Sequence, residues 1–371
     1  MAQPTHRSDP TDPADPERPA DPERPADPER PADPERDAPA VDARPPVVVV
    51  TGPTASGKSG VALELAERFG GEIVNADSMQ VYRFMDIGTA KPSTEERTRV
   101  PHHLFDVADP SEPYSAGRYA QEARAAAEAI HGRGRVVLLT GGTGLYIRAF
   151  LEGLIRTRSV DPELRRRLES EQARAAEEGD PARLHRRLVE RDPATAATIH
   201  PNDVRRTVRA LEILEQAGEP ASSVREAHGF RDRPFRVLHL ALDPGREVLD
   251  RRIDARAEQM VEKGLLREVR DLRERGYGPE LKPMQSIGYR HMQPVVDGLD
   301  TLVNAVRAMQ VDTRRFARRQ RTWLRPLPDV HWHDPGDRQG IEARVAGFLG
   351  PDAARGHENS DADVAGYPAS R

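Results

Sequence analysis

The residues with the clearest chemical pattern form a short glycine-rich segment that follows the first apolar run. Gly52-Pro53-Thr54-Ala55-Ser56-Gly57-Lys58-Ser59 match the phosphate-binding pattern GxxxxGK[ST] at every specified position. The backbone amides of such a loop and the N-terminus of the helix after it point at one place and attract phosphate, while the lysine adds a positive charge. The motif therefore predicts a phosphate site, in which Ser59 can ligate Mg²⁺.

A carboxylate at the end of a strand is the second candidate for chemistry. Ordinary P-loop kinases and ATPases hold their metal with an acid at the end of a later apolar strand, but here the later apolar run 136–139 continues into TGGTG. Asp77 instead closes the earlier stretch 72–76, where it can meet a second substrate. From the residues alone, Asp77 is a general base, a metal ligand or a cap at the strand end.

Strands and helices must alternate to place these residues together. Val47–Val50 is a β-branched run before the glycine-rich loop, Lys58–Phe69 has a helical pattern, and Glu72–Ala76 and Val136–Leu139 are further apolar strands. Such alternation predicts an α/β fold, a P-loop-type parallel sheet flanked by helices, in which ligands bind at the carboxyl ends of the strands. We expect the three strand-end loops to converge on one site.

The middle of the chain has a different character. Residues 150–230 are rich in helix-forming residues, arginine above all, and strand-like sequence returns only at Arg236–Leu242. We therefore expect a discontinuous catalytic core, residues 45–149 and 231–350, interrupted by a helical, arginine-rich insertion at 150–230.

Both termini have a composition that cannot bury a core. Residues 1–44 repeat DPERPA and hold 6 Arg against 12 acidic residues, and residues 351–371 are equally polar. We predict two disordered tails. The first carries more negative charge than the whole 371-residue chain, whose formal net charge is −5.

Composition excludes several classes of protein. Without cysteine the chain has no disulfide, thiolate nucleophile, iron–sulfur cluster or cysteine-based zinc finger, which fits a reducing compartment. No apolar run approaches the ~20 residues of a membrane span, and the start lacks the apolar core of a secretory signal. We expect a cytoplasmic protein without a membrane partner.

Several longer motifs resemble one enzyme family. The segments occur in the order, and at roughly the spacing, seen in bacterial tRNA dimethylallyltransferases of the tRNA isopentenyltransferase family, over about residues 47–335. They read GPTASGKS, NADSMQVYRFMDIGTAKPS, VPHHLFD, GGTGLY, IHPNDVRR, QSIGYR and RRQRTWLR.

The resemblance implies an activity and its partners. The enzyme would transfer a dimethylallyl group from dimethylallyl diphosphate to N6 of the adenosine next to the anticodon, release diphosphate and use Mg²⁺ as cofactor. The family prefers tRNAs that read codons starting with U. Its partners would be the anticodon stem-loop of tRNA, held by the helical insertion, and dimethylallyl diphosphate. We expect a monomer.

The resemblance also assigns roles to single residues. It makes Asp77 the general base, places Thr143 beside the reacting adenosine and Arg256 at the diphosphate, and Lys58 completes the catalytic set. Ser59 and Asp77 are the expected metal ligands. From the residues alone, Thr143 is better explained as a cap of the following helix, and Arg256 as one of many arginines on a solvated helix.

The residues expected to contact tRNA form four groups along the chain. They are Asp77, Ser78, Met79 and Gln80; Thr143; Arg165 with Arg205, Arg206, Thr207, Val208 and Arg209; and Gln285, Ser286, Ile287, Gly288, Tyr289 and Arg290.

The chemistry of allyl transfer agrees with this assignment, and three alternatives stay open. Diphosphate must leave as positive charge spreads over the allyl group, which a P-loop stabilises, and the weakly nucleophilic adenine amine needs a base. A small-molecule or nucleotide kinase also fits the P-loop but lacks the later acid. A prenyltransferase for free adenine nucleotides would not need the arginine-rich insertion. An RNA-binding protein without catalysis would leave the P-loop and Asp77 unexplained.

Overall fold

One parallel sheet organises the described part of the chain, which in this computed structural model is residues 42–154, 161–228 and 233–351. Its six strands lie in the order β3-β2-β4-β1-β5-β6, and every neighbouring pair is parallel. This confirms the predicted fold class. The strands are β1 (Pro46–Thr51), β2 (Gly71–Asn75), β3 (His102–His103), β4 (Val136–Thr140), β5 (Arg236–Leu242) and β6 (Val330–His333).

Helices cover both faces of the sheet because its central strands are apolar on both sides. In β1, Val47 and Val49 belong to one buried cluster and Val48 and Val50 to another, since successive side chains of a strand point to opposite faces. The helices are α1 (Lys58–Arg68), α2 (Thr94–Arg99), α3 (Ala116–Gly132), α4 (Gly144–Glu152), α5 (Pro162–Glu177), α6 (Arg183–Arg191), α7 (Pro193–Ala196), α8 (Val204–Ala217), α9 (Ala221–His228), α10 (Arg246–Glu262), α11 (Leu265–Glu274), α12 (Tyr289–Val296), α13 (Leu302–Leu324) and α14 (Arg338–Leu349), with a 3-10 turn at Pro283–Gln285.

All the regular secondary structure that the structure describes in the region predicted as an insertion is helical. Helices α5 to α9 occupy it, and they bury a small core of their own around Leu168, Leu184, Leu188 and Leu211. Asp161 caps the first of them by accepting hydrogen bonds from the amides of residues 163 and 164. The insertion therefore has its own apolar centre, apart from the two clusters on the sheet.

Some expectations need correction or lie outside the described residues. The strands β3 and β6 were not predicted, because edge strands of two and four residues that contain histidine have no apolar run to mark them. The predicted tails fall mostly on residues 1–41 and 352–371, which lie outside the described ranges. Arg44, assigned to the first tail, already belongs to the fold, since its guanidinium donates to the carbonyl of Arg233 at 3.1 Å. No helix in the described ranges is both long and apolar enough to cross a membrane.

Candidate functional site

The loops after β1, β2 and β4 meet at one edge of the sheet and line a cavity of about 430 Å³. The prediction that these three loops converge is confirmed. A glycine permits the close approach: a Cβ on Gly141 would lie 2.2 Å from the backbone of Ala76. The amide of Thr143 donates to the carbonyl of Ala76 at 3.1 Å, so the ends of β2 and β4 are tied together.

The glycine-rich loop has the geometry of an anion site. Gly57, at φ +94°, turns the chain into α1, whose N-terminus has no side-chain cap, and its amides therefore stay available to a ligand. Five of the eight motif residues line the cavity, namely Thr54, Ala55, Gly57, Lys58 and Ser59. The other three, Gly52, Pro53 and Ser56, are buried behind the loop.

This cavity is lined by one carboxylate, Asp77, and by four cationic side chains, Lys58, Arg256, Arg290 and Arg319. Lys58 comes from the start of α1, Arg256 from α10 and Asp77 from the end of β2. Desolvation first, and then the charge of Arg256, lower the pKa of Lys58 to about 8, while Asp77 acts in the opposite direction. Desolvation also lowers the pKa of Arg256, again opposed by Asp77. The free cavity thus concentrates positive charge that a bound anion would stabilise.

The local backbone holds Asp77 in place. Its amide donates to Asn75 Oδ1 at 2.9 Å, and its Oδ1 accepts from the amide of Met79 at 2.8 Å. The hydroxyl of Thr143 accepts from the amide of Ser78 at 3.0 Å. The structure therefore brings the loop of Asp77 into contact with that of Thr143, as expected. Asp77 Oδ2 has no hydrogen-bond partner within the described residues.

Gln80 lines the same cavity, and one end of its side-chain amide is already hydrogen-bonded within the protein. Its Nε2 donates to the carbonyls of Thr89 and Ala90 at 3.0 and 3.1 Å. Both of its donor hydrogens are used, so only Oε1 remains to accept from a ligand in this conformation. A bidentate contact of Gln80 with an adenine edge would require these two bonds to break.

The segment 285–290 contributes to the cavity only in part. Ser286, Ile287 and Arg290 line it. Tyr289 is fully buried, and its hydroxyl donates to Glu268 Oε1 at 2.6 Å. Its burial contradicts a direct contact between this tyrosine side chain and RNA. Gly288 is buried too, and Gln285 is exposed outside the cavity lining.

Nothing in the sequence indicated a role for Glu268, although this residue helps to shape the cavity. Its carboxylate accepts from the amides of Asp86, Ile87 and Gly88 at 2.8 to 3.1 Å as well as from Tyr289. Four donors on one carboxylate fix the loop that supplies the acceptor carbonyls for Gln80. A glutamate within a charged helix gives no local signal of such a role.

The arginines of the insertion fall into two kinds. Arg165 of α5 pairs through two bonds with Glu212 of α8, which is fully buried, and Arg209 binds the same carboxylate at 3.0 Å. Arg205 and Arg206 are exposed, and their side chains form no ion pair in the described ranges. Arg165 and Arg209 therefore hold the insertion together, which was not expected.

Two other residues predicted to contact tRNA point inward. Thr207 and Val208 are 2% and 3% exposed and pack inside the insertion. Their burial contradicts side-chain contacts with RNA, because they lie on the buried face of α8 together with Leu211, which is four and three positions further along the helix.

A second strand-end acid lies outside the cavity. Asp243 follows β5, next to β1 in the sheet, but its carboxylate is paired with Arg321 of α13. It is not among the residues that line the cavity. This second acid is thus committed to an ion pair with α13.

Taken together, a strand, a phosphate-binding loop and a helix on a parallel sheet define a P-loop-type protein, whose cavity joins an anion site to a carboxylate. Residues 80–326 match the family model described as IPP transferase, and residues 45–105 match the model for isopentenyl transferase. The chain belongs to the IPP transferase family.

Named relatives and solved structures agree with this membership. The chain is 52% identical over 299 residues to a tRNA dimethylallyltransferase of Desulfosudis oleivorans, covering 81% of this chain and 93% of that one. It is 50% identical to that of Geobacter metallireducens, covering 81% and 97%. The crystal structure of a tRNA isopentenylpyrophosphate transferase from Bacillus halodurans matches with a TM-score of 0.59 at 38% identity, covering 82% and 97%. A eukaryotic dimethylallyltransferase acting on tRNA matches with a TM-score of 0.64 at 31% identity, covering 81% and 77%.

Proposed function

We propose that this enzyme transfers a dimethylallyl group from dimethylallyl diphosphate to N6 of the adenosine next to the anticodon of tRNA and releases diphosphate. One observation carries the proposal: Lys58, Arg256, Asp77 and Thr143 line one cavity. Cations for a leaving diphosphate thus stand beside a carboxylate for the acceptor amine. The names of the relatives support the same transfer to tRNA.

The cationic side of the cavity assists departure of diphosphate. As the bond between the allyl carbon and oxygen breaks, negative charge accumulates on the diphosphate, beside the amides of the loop, Lys58 and Arg256. Because these groups are already in position before the reaction, they stabilise the developing charge without reorganising. This stabilisation is usually the largest single contribution to lowering the barrier. The positions of these cations therefore favour breaking the bond over holding the intact donor.

The acidic side serves the acceptor. N6 of adenine attacks the allyl carbon, and its surplus proton passes to the carboxylate of Asp77. Thr143, whose hydroxyl is fixed by the amide of Ser78, is placed to orient the amine. An adenosine in this cavity must be unstacked from its neighbours, as enzymes that modify bases require.

The oxygen ligands in the cavity fit Mg²⁺. Ser59 and Asp77 both line it and supply the hard oxygen donors that Mg²⁺ prefers, and Mg²⁺ usually adds substrate phosphates and water to one or two protein ligands. The described residues contain no group of three or more acidic, histidine or cysteine side chains that could hold a metal ion by itself, so the diphosphate would complete the site. A bound Mg²⁺ would neutralise charge on the departing diphosphate.

The finer assignments follow from charge and composition. We propose that Arg205 and Arg206, the exposed arginines at the start of α8, contact the backbone of the anticodon arm, in tRNAs that read codons starting with U. The absence of cysteine supports the cytoplasm as the place of action, and we propose that the enzyme works as a monomer.

One assay separates this function from the alternatives. The protein is incubated with Mg²⁺ and dimethylallyl diphosphate in the presence of unmodified tRNA, AMP or ATP, and N6-modified adenosine is measured by mass spectrometry. We expect product only with tRNA. Product with AMP would favour the prenyltransferase for free nucleotides, and phosphate transfer from ATP without allyl transfer would favour a kinase. A tRNA whose adenosine beside the anticodon is replaced by guanosine is the matched control.

A further inference from the structure

One buried side-chain amide, that of Gln320, connects the phosphate loop, which we assign to the donor, with the loop after β4, which we assign to the acceptor. Oε1 of Gln320, in α13, accepts from the amide of Thr54 at 2.8 Å, and its Nε2 donates to the carbonyl of Gly142 at 3.0 Å. Thr54 belongs to the phosphate loop, and Gly142 immediately precedes Thr143. Gln320 is only 8% exposed, so losing either bond would leave a buried polar group unpaired.

Other residues of α13 fasten the same edge of the sheet. Ala317 shares a small apolar cluster with Ala55 of the phosphate loop, and Arg321 pairs with Asp243 after β5. Spacings of three and four residues put Ala317, Gln320 and Arg321 on one face of the helix. One helix thus contacts the loops that follow β1, β4 and β5.

We propose that Gln320 is a positioning residue that sets the distance between the allyl diphosphate and the acceptor adenosine; this inference rests on the proposed function. Attack requires the reacting carbon and nitrogen to lie about 3 to 3.5 Å apart, and a displacement of about 1 Å is enough to cost on the order of 10²-fold in rate. Each loop keeps its own binding groups without the amide. Losing Gln320 should therefore slow transfer much more than it weakens binding.

Gln320→Met tests the amide directly, because methionine preserves length and burial and removes both bonds. We expect kcat to fall by about 10-fold to 100-fold, with KM for both substrates within about threefold. More diphosphate should also be released per modified adenosine. When N6 is displaced, water attacks the allyl carbon, the bond to diphosphate breaks, the alcohol forms and its proton passes to solvent.

The matched control is Gln310→Met in the same helix. The Gln310 amide donates to the carbonyl of Asp254 at 3.4 Å and, among the residues that the structure describes, forms no hydrogen bond with either loop. We expect this variant to keep the wild-type kcat and the wild-type ratio of diphosphate to modified adenosine.

Gly142→Ala perturbs the same contact from the other side, which protects the test against misfolding of one variant. A Cβ there would lie 2.3 Å from Nε2 of Gln320 and would push the amide away, while Gly142 itself has no positive φ to strain. Because both substitutions act on one contact, the double variant should be no slower than the slower single variant. Additive losses, or a wild-type diphosphate ratio in both single variants, would overturn the role of Gln320. Absence of tRNA modification by the wild type would instead overturn the proposed function.

Discussion

Binding of the diphosphate donor should weaken above pH 8, and Lys58 is the reason. This amine lines the cavity, yet desolvation and Arg256 together lower its pKa from 10.5 to about 8. A bound diphosphate favours the charged ammonium, so the pKa of Lys58 is higher in the complex than in the free enzyme. The donor therefore binds with its full affinity below pH 8, and the affinity declines as the pH rises from 8 towards the pKa of Lys58 in the complex.

The size of the effect follows from the titration of one proton. In that window, the dissociation constant should rise by up to about tenfold per pH unit, or about 1.4 kcal/mol. With a free-state pKa of about 8, Kd at pH 9 should be about tenfold higher than at pH 7. Binding should take up roughly 0.9 proton at pH 9 and roughly 0.1 at pH 7.

Calorimetry measures both quantities. Dimethylallyl diphosphate is titrated at pH 7, 8 and 9 in two buffers with different heats of ionisation, and the difference between the heats counts the protons taken up. Lys58→Arg is the control, because a guanidinium keeps its charge throughout this range, and its Kd should not change with pH. A wild-type Kd that is flat from pH 7 to 9 would refute the argument, and so would a pH dependence that persists in Lys58→Met.

The same shift affects stability in the absence of ligand. Between pH 8 and about 10.5, the unfolded chain binds more protons at Lys58 than the folded protein does. The contribution of this group to the free energy of unfolding should therefore increase with pH across that window. Urea titrations of the wild type and Lys58→Met at pH 7.5 and 9.5 measure the difference.

Four further outcomes are expected. Asp77→Asn should lower kcat by about 10²-fold to 10⁴-fold while calorimetry shows that donor affinity is retained; turnover within a few-fold of wild type would remove Asp77 as the base. Replacing Arg205 and Arg206 together by Ala should reduce the salt dependence of tRNA binding by a slope of about 0.7 per lost contact and leave donor affinity alone. By contrast, Arg165→Ala should lower the free energy of unfolding by about 1 kcal/mol, since the buried Glu212 keeps only one partner, with an unchanged salt slope. Deleting residues 1–41 removes negative charge that repels a polyanion, so activity on tRNA at low salt should stay the same or rise slightly; a large loss would show that this segment takes part in folding or binding.

Local sequence was sufficient for the central strands and the phosphate loop. Val47–Val50 is apolar and β-branched, a pattern typical of a strand buried on both faces. The glycine and lysine positions of GPTASGKS have meaning only as a turn from a strand into a helix that binds an anion. Both predictions rest on neighbours within a few residues, and both are confirmed as elements of the fold.

The tertiary structure decided which arginines are available. Arg165, Arg205 and Arg209 look equivalent in the sequence, yet two of them pair with Glu212 and one is exposed. The partner of Arg165 is 47 residues away along the chain. Whether an arginine is neutralised depends on such distant contacts, which helical spacing does not reveal.

The same limit explains Gln320. By itself it is a polar residue in an arginine-rich helix, with nothing in its spacing to distinguish it from Gln310. Its partners lie 266 and 178 residues away, in the loops after β1 and β4. The sequence determined that these loops exist and which residues they carry, because strand and turn preferences are local. Only the packing of α13 across the ends of the strands decided how far apart the loops stand, because that distance depends on contacts between residues remote in the chain.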